Sequence, residues 1–180
     1  MNRFIMTFIY SFLVINMFAQ TYYYDDTETF YEDGYTYKCD VIKKAKFVRL
    51  YNKENKFTYV NQCDKNTGEG LTVVEERNKQ LEDDTWTVGK CLSIVNNAFS
   101  EIEKQRLKGK YITIILYVNS TTGKIDEVEY QLVSFGPYAT IPVSVYRKVE
   151  LELKKNVWYT PTSDGRKLNY IYLSWLHQIK

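Results

Sequence analysis

The sequence predicts an α+β fold, with an N-terminal antiparallel β meander leading into a helix–hairpin–helix–strand unit. Three observations carry that expectation. Residues 35–76 are rich in β-branched and aromatic side chains, interrupted by short turn signals. From Thr87 the apolar period lengthens from two to nearly 3.6, which places Cys91, Ile94, Val95, Ala98, Phe99 and Ile102 on one helical face. Two strand-like runs, Tyr111 to Asn119 and Ile125 to Phe135, then flank the compact turn Ser120-Thr121-Thr122-Gly123-Lys124.

The chain begins with a weakly basic start, Asn2 and Arg3, and an almost wholly apolar run from Phe4 to Phe18. That run is shorter than the about 20 apolar residues a membrane-spanning helix needs. It suits the apolar region of a secretory signal peptide spanning residues 1–19, with cleavage between Ala19 and Gln20. No later segment approaches spanning length, so the mature chain is expected to lack a membrane span and to reside in the periplasm or at the surface of an exporting cell. Residues 20–180 are of a length that normally makes one domain.

Residues 20–34 form an acidic, tyrosine-rich arm, with Asp25, Asp26, Glu28, Glu32 and Asp33 among Tyr22, Tyr23, Tyr24 and Tyr31. The basic stretch that follows carries Lys38, Lys43, Lys44, Lys46, Arg49, Lys53 and Lys56, so the arm is expected to fold over or beside a basic hairpin. The whole chain holds 17 tyrosines at a net charge of only +2. Sheet packing accounts for most of those rings, which leaves the arm tyrosines for a partner. A charge so near neutral argues against nucleic acid as a partner, because phosphate binding needs a clustered basic surface.

Within the 35–84 meander the expected strands are Tyr35 to Ile42, Lys46 to Tyr51, Phe57 to Gln62 and Leu71 to Glu75. Asp64, Asn66, Gly68 and Glu75 fall at calcium-loop positions, but the glycine such a loop requires at its sixth position is replaced by Glu69, so a glycine-rich hairpin turn is the better reading. The 85–180 unit opens with one helix of about five turns that stops at Gly109. Tyr111 to Asn119 is apolar on both faces, as a central strand should be. Its partner sets Val128, Tyr130 and Leu132 against Glu127, Glu129 and Gln131, the latter three expected to face water. Pro142 is placed to open a second helix carrying Val145, Val149 and Leu153 and ending near Asn156. The last strand, Leu168 to His177, alternates Ile171, Leu173 and Trp175 with Tyr170, Tyr172 and Ser174. Trp158 and Trp175 are expected to anchor the core.

The order and spacing of these motifs resemble the C-terminal domain of TonB-type energy transducers over about residues 88–176. The likeness rests on Ile112 to Val118, on Thr122-Gly123-Lys124-Ile125-Asp126-Glu127-Val128, on Trp158-Tyr159-Thr160-Pro161 and on Gly165-Arg166-Lys167-Leu168. It implies a TonB-C-like sheet in a secreted protein of a Gram-negative, Bacteroidetes-type cell, whose edge accepts an extended peptide by strand addition. The family's long proline-rich spacer is missing, since the chain holds only three prolines, and energy transduction is not expected.

Catalysis is poorly provided for. His177 is the sole histidine, the three cysteines follow no zinc-finger spacing, and no glycine-rich phosphate loop occurs, so neither a catalytic residue, a metal ligand nor a cofactor is assigned. The odd cysteine count in an exported chain points to one disulfide, expected between Cys39 and Cys63, with Cys91 a buried free thiol. The expected function is a non-enzymatic module that binds a protein or extended peptide of the cell envelope along Leu168 to His177, with Tyr170 and Tyr172 lining the groove. The alternative is a carbohydrate-binding protein using exposed Tyr or Trp, or a weak glycoside hydrolase using two of Glu75, Glu76, Glu127 and Glu129.

Overall fold

The computed structural model describes residues 22–32, 34–72 and 79–179. The expected signal peptide and the expected strand residues Val73 to Glu75 lie outside them, as does Glu76. The fold is mixed α and β. One antiparallel sheet holds six strands, β1 (Glu28–Glu32), β2 (Tyr35–Ile42), β3 (Phe47–Asn52), β4 (Tyr111–Val118), β5 (Ile125–Val133) and β6 (Ile171–Gln178), in the spatial order β1-β2-β3-β5-β4-β6. Among the described residues there are three α-helices, α1 (Thr85–Ala98), α2 (Glu101–Leu107) and α3 (Val143–Asn156). None of them is long and apolar enough to cross a membrane.

The alternation along each strand decides which side meets the helices. Tyr37, Cys39, Val48, Leu50, Ile112, Ile114, Leu116, Val128, Tyr130 and Leu132 face α1 and α3 in one buried cluster with Val95, Phe99, Val149 and Leu153. Much of the tyrosine content is explained here, because buried rings find acceptors for their hydroxyls. Tyr130 donates to the Tyr146 carbonyl at 2.7 Å, Tyr146 to the Tyr138 carbonyl at 2.7 Å, and Tyr24 to the Ile141 carbonyl at 2.8 Å. Tyr37 donates to Glu150, a fully buried carboxylate on α3 that is also held by Arg147 at 2.9 Å and Lys154 at 3.6 Å. Tyr24 comes from the acidic arm and is completely buried, so that ring belongs to the core, whereas Tyr22, Tyr23 and Tyr31 remain exposed. The arm also supplies β1, which pairs with β2, and Asp26 meets Lys43 at 2.5 Å.

Four expectations are corrected. The long first helix is two helices. Ser100 accepts from the Glu103 amide at 3.3 Å while Glu103 accepts from the Ser100 amide at 2.7 Å, a reciprocal cap that starts a new helix and turns Ile102 out to 73% exposure. Phe57 to Gln62 is not a strand, because its chain crosses the outer face of the sheet and bonds to side chains instead of a neighbouring strand. Glu127 accepts from the Lys56 and Phe57 amides at 2.6 and 3.0 Å, and the Val60 carbonyl accepts from Tyr170 at 2.5 Å. The expected Cys39–Cys63 disulfide is absent, and all three cysteines are free. Cys39 lies on β2, while Cys63 packs beside Asn169 at the start of β6, four strands away. At about 4.8 Å per strand that is roughly 19 Å, against the 7 Å limit for bridging Cα atoms. Trp158 is 56% exposed, packed against Trp86 rather than into the core, whereas Trp175 does pack against the core.

Other expectations match the observed elements. Pro142 caps α3 and the helix ends at Asn156. The turn at Asp64 is a hairpin, with its carboxylate accepting from the Asn66 and Thr67 amides at 2.7 and 3.0 Å and Cys63 bridging Gly70.

Candidate functional site

β6 is the last strand of the sheet. It is hydrogen-bonded to β4 along its whole length, from Tyr111 opposite Gln178 to Val118 opposite Ile171, and among the described residues no strand pairs with its other edge. The two sheet edges differ in length, β1 having five residues and β6 eight.

The open edge of β6 borders a cleft of about 950 Å³. Tyr170, Ile171, Tyr172 and Leu173 form one wall, and the other is the segment 79–84 with the first turn of α1. That second wall is tied to the chain ahead of β6. The Glu82 amide donates to the Thr160 carbonyl at 2.8 Å, the Thr162 amide to the Gln80 carbonyl at 3.1 Å, and the Thr160 amide to Asp84 at 2.7 Å. Gly165 lies directly under Gln80, where a Cβ would run into the Gln80 carbonyl. Gln62 closes one end, donating to the Gln80 side chain at 3.0 Å and the Tyr170 carbonyl at 2.9 Å.

The two tyrosines expected to line a groove have different fates. Tyr172 is 43% exposed and edge-on to Tyr117 at 6.2 Å. Tyr170 is only 4% exposed, clamped between Phe57 at 4.7 Å and Tyr117 at 5.2 Å. Burial pushes its hydroxyl up to about 12. Tyr170 therefore fastens the 57–62 loop to the sheet, through its ring against Phe57 and its hydroxyl on the Val60 carbonyl. The sequence alternation located both residues but could not show that a loop with no strand character would cover one of them.

Glu127 and Glu129 do not face water. The sheet face opposite the helices is roofed by the 53–60 loop, leaving Glu127 6% and Glu129 0% exposed. Glu129 accepts from Arg49 at 2.9 Å, Tyr117 at 2.9 Å and Gln131 at 2.8 Å. Burial pushes both carboxyls above the ordinary carboxylate range, partly offset for Glu129 by Gln131, Arg49 and Tyr117, and for Glu127 by the two amides it accepts from. A perturbed carboxylate can signal catalysis, but these two spend their oxygens on internal partners. Arg49 continues the network outward, lying over the Tyr59 ring at 4.9 Å, while Asp40 accepts from Tyr51 at 2.8 Å and also from Tyr59.

His177 sits on the helix side of β6, 1% exposed. Trp175 Nε1 donates to its Nδ1 at 3.5 Å, so the proton resides on Nε2 and is donated to Asn96 at 3.2 Å. Burial lowers its pKa, favouring the neutral ring. Among the described residues no three His, Cys, Asp or Glu side chains are grouped as a metal ion would require. Trp86 at 40% exposure and Trp158 form a surface pair with ring centres 4.6 Å apart, whereas the sequence places Trp158 in the core.

The profile of a domain of unknown function, DUF5043, matches residues 20–175. The crystal structure of a DUF5043 family protein from Bacteroides uniformis ATCC 8492 superposes with a TM-score of 0.82 at 36% identity, covering 88% of this chain and 94% of that one. No curated protein matches the sequence. With a family match over nearly the whole described fold and a solved relative of the same architecture, the chain belongs to the DUF5043 family.

Proposed function

We propose that this protein is a non-enzymatic binding module of the periplasm or cell surface, which recognises an extended peptide of an envelope protein by adding it as a further strand beside β6. One observation carries the reading: an eight-residue strand, unpaired on one edge among the described residues, borders a cleft of about 950 Å³ with its first three residues, Ile171 to Leu173. Edge strands of this length are normally shortened, charged or covered, because their free N–H and C=O groups template another chain. β6 carries no Lys, Glu, Asp or Pro between Ile171 and Gln178. The TonB-C-like order of helix, hairpin, helix and strand supports the same mode, since that fold uses its sheet edge for peptides. The polar carboxylates of the sheet support a binder over a hydrolase, since Glu127 and Glu129 are already occupied.

Hydrogen exchange of the purified protein with peptides selected from an extended-peptide library tests this. Binding should slow exchange at alternate β6 amides, and Tyr172→Ala should weaken it without lowering the melting temperature. Tight peptides that protect other segments and leave β6 unchanged would refute strand addition.

The exposed Trp86 and Trp158 pair favours a second reading, a carbohydrate surface on which sugar C–H faces stack. A glycan array read with the parent and with Trp158→Ala separates it. Retention that depends on Trp158 and survives a blocked cleft would make sugar the ligand.

A further inference from the structure

The wall opposite β6 carries unequal charge. Lys79, Glu82, Asp83 and Asp84 are the ionisable groups of that segment facing the cleft, one cation against three carboxylates. Asp84 is used structurally by Thr160, through its amide at 2.7 Å and its hydroxyl at 3.4 Å. Lys79 reaches Asp83 at 2.7 Å and stands 3.8 Å from Glu82, so one ammonium serves two carboxylates. The Glu82 side chain is 54% exposed and that of Asp83 86%. Below them the cleft is apolar, lined by Leu81, Val88 and Leu173. Val88 is 65% exposed on the first turn of α1, with no apolar cover of its own.

The backbone of an added strand would meet β6 whatever its sequence, so selectivity has to come from what flanks the edge. From the charge of the wall and its apolar base we infer that the peptide taken up beside β6 carries a Lys or Arg opposite Glu82 and Asp83, next to an apolar residue that covers Val88 and Leu173. This rests on the strand-addition reading and adds the chemistry of the occupant. A basic side chain supplies the missing counter-charge without displacing Lys79, and its aliphatic stem lies along the apolar base. An acidic peptide meets two exposed carboxylates and is rejected. A second copy of the chain is a weaker fit, because β6 offers no Lys or Arg to that wall.

Three end-capped peptides of alternating Thr and Val, identical except for Lys, Gln or Glu at two internal positions, are titrated into the purified protein by calorimetry. The Lys peptide should bind about tenfold tighter than the Gln peptide and the Glu peptide weaker still, with the preference shrinking at high salt, since the carboxylates are exposed and screened. The double variant Glu82→Gln with Asp83→Asn should abolish the preference and leave the Gln peptide unchanged. Equal binding of the three peptides, or a Lys preference that survives the double variant, overturns this inference while strand addition stands. Binding by none of them removes strand addition and the inference together. A concentration-dependent dimer in sedimentation that excludes all three would make a second copy the occupant and equally overturn the inference.

Discussion

Replacing Glu129 by alanine separates a structural carboxylate from a functional one. Its side chain is wholly buried and its oxygens accept from Arg49, Tyr117 and Gln131. Removing it strands the Arg49 guanidinium, 29% exposed, and the Tyr117 hydroxyl, in a residue only 4% exposed. Breaking one side of a buried ion pair costs about 3 to 5 kcal/mol, because the partner remains buried and uncompensated. For a chain of this size each kcal/mol lowers the melting temperature by about 2 to 4 °C, so the variant should melt roughly 6 to 20 °C below the parent. Urea titration of the parent, Arg49→Ala, Glu129→Ala and the double variant measures the coupling, expected at about 1 to 3 kcal/mol in the stabilising sense. An unchanged or raised stability in Glu129→Ala would refute the structural role, since functional carboxylates are typically kept at a cost to stability. The raised pKa adds a sign. Folded Glu129 holds its proton more tightly than the unfolded chain, whose value is near 4.5. The proton-linked part of the stability is therefore fully present below that pH and is lost as pH rises through the folded value, whereas the ion pair with Arg49 forms only as the carboxylate ionises.

Three further outcomes follow from single contacts. Gly165→Ala should cost about 1 to 3 kcal/mol and displace the 79–84 wall, because the new methyl meets the Gln80 carbonyl; weakened peptide binding with an intact sheet by circular dichroism is the expected pair of readings. His177 is buried neutral with a lowered pKa, so the unfolded chain takes up a proton first and stability should fall as pH drops below about 6.5, a slope that His177→Gln removes in pH-dependent urea titrations. Tyr24→Ala should cost about 3 to 5 kcal/mol and Trp158→Ala about 1, since one ring is fully buried and the other half exposed; thermal melts giving the reverse order would contradict the assigned packing.

What the sequence determined by itself was local. β-branched alternation set β2 and β3, the two apolar runs around Thr122-Gly123-Lys124 set the β4–β5 hairpin, and Pro142 with the spacing of Val149 and Leu153 set α3, because each pattern reports a period that one element must satisfy alone. The break between α1 and α2 was written in Ser100 and Glu103 but hidden by an apolar stripe that runs through it. Tertiary structure decided the rest. Glu127 and Glu129 alternate as water-facing residues should, yet they are buried, because a loop distant in sequence folds over that face and its amides meet Glu127, while Arg49, Tyr117 and Gln131 of the neighbouring strand positions meet Glu129. Cys39 and Cys63 lie close in sequence and four strands apart in space, because β3 is followed in the sheet by β5 rather than by a neighbour from its own meander. Trp158 reads as core by hydropathy and lies at the surface, since packing depends on which side of the chain the sheet lies and not on side-chain polarity. The open edge of β6 is the same kind of property: the alternation of Ile171, Leu173 and Trp175 fixes the face they present to α1, but an edge exists only when strand order is complete, and strand order is a contact between segments that no local period encodes.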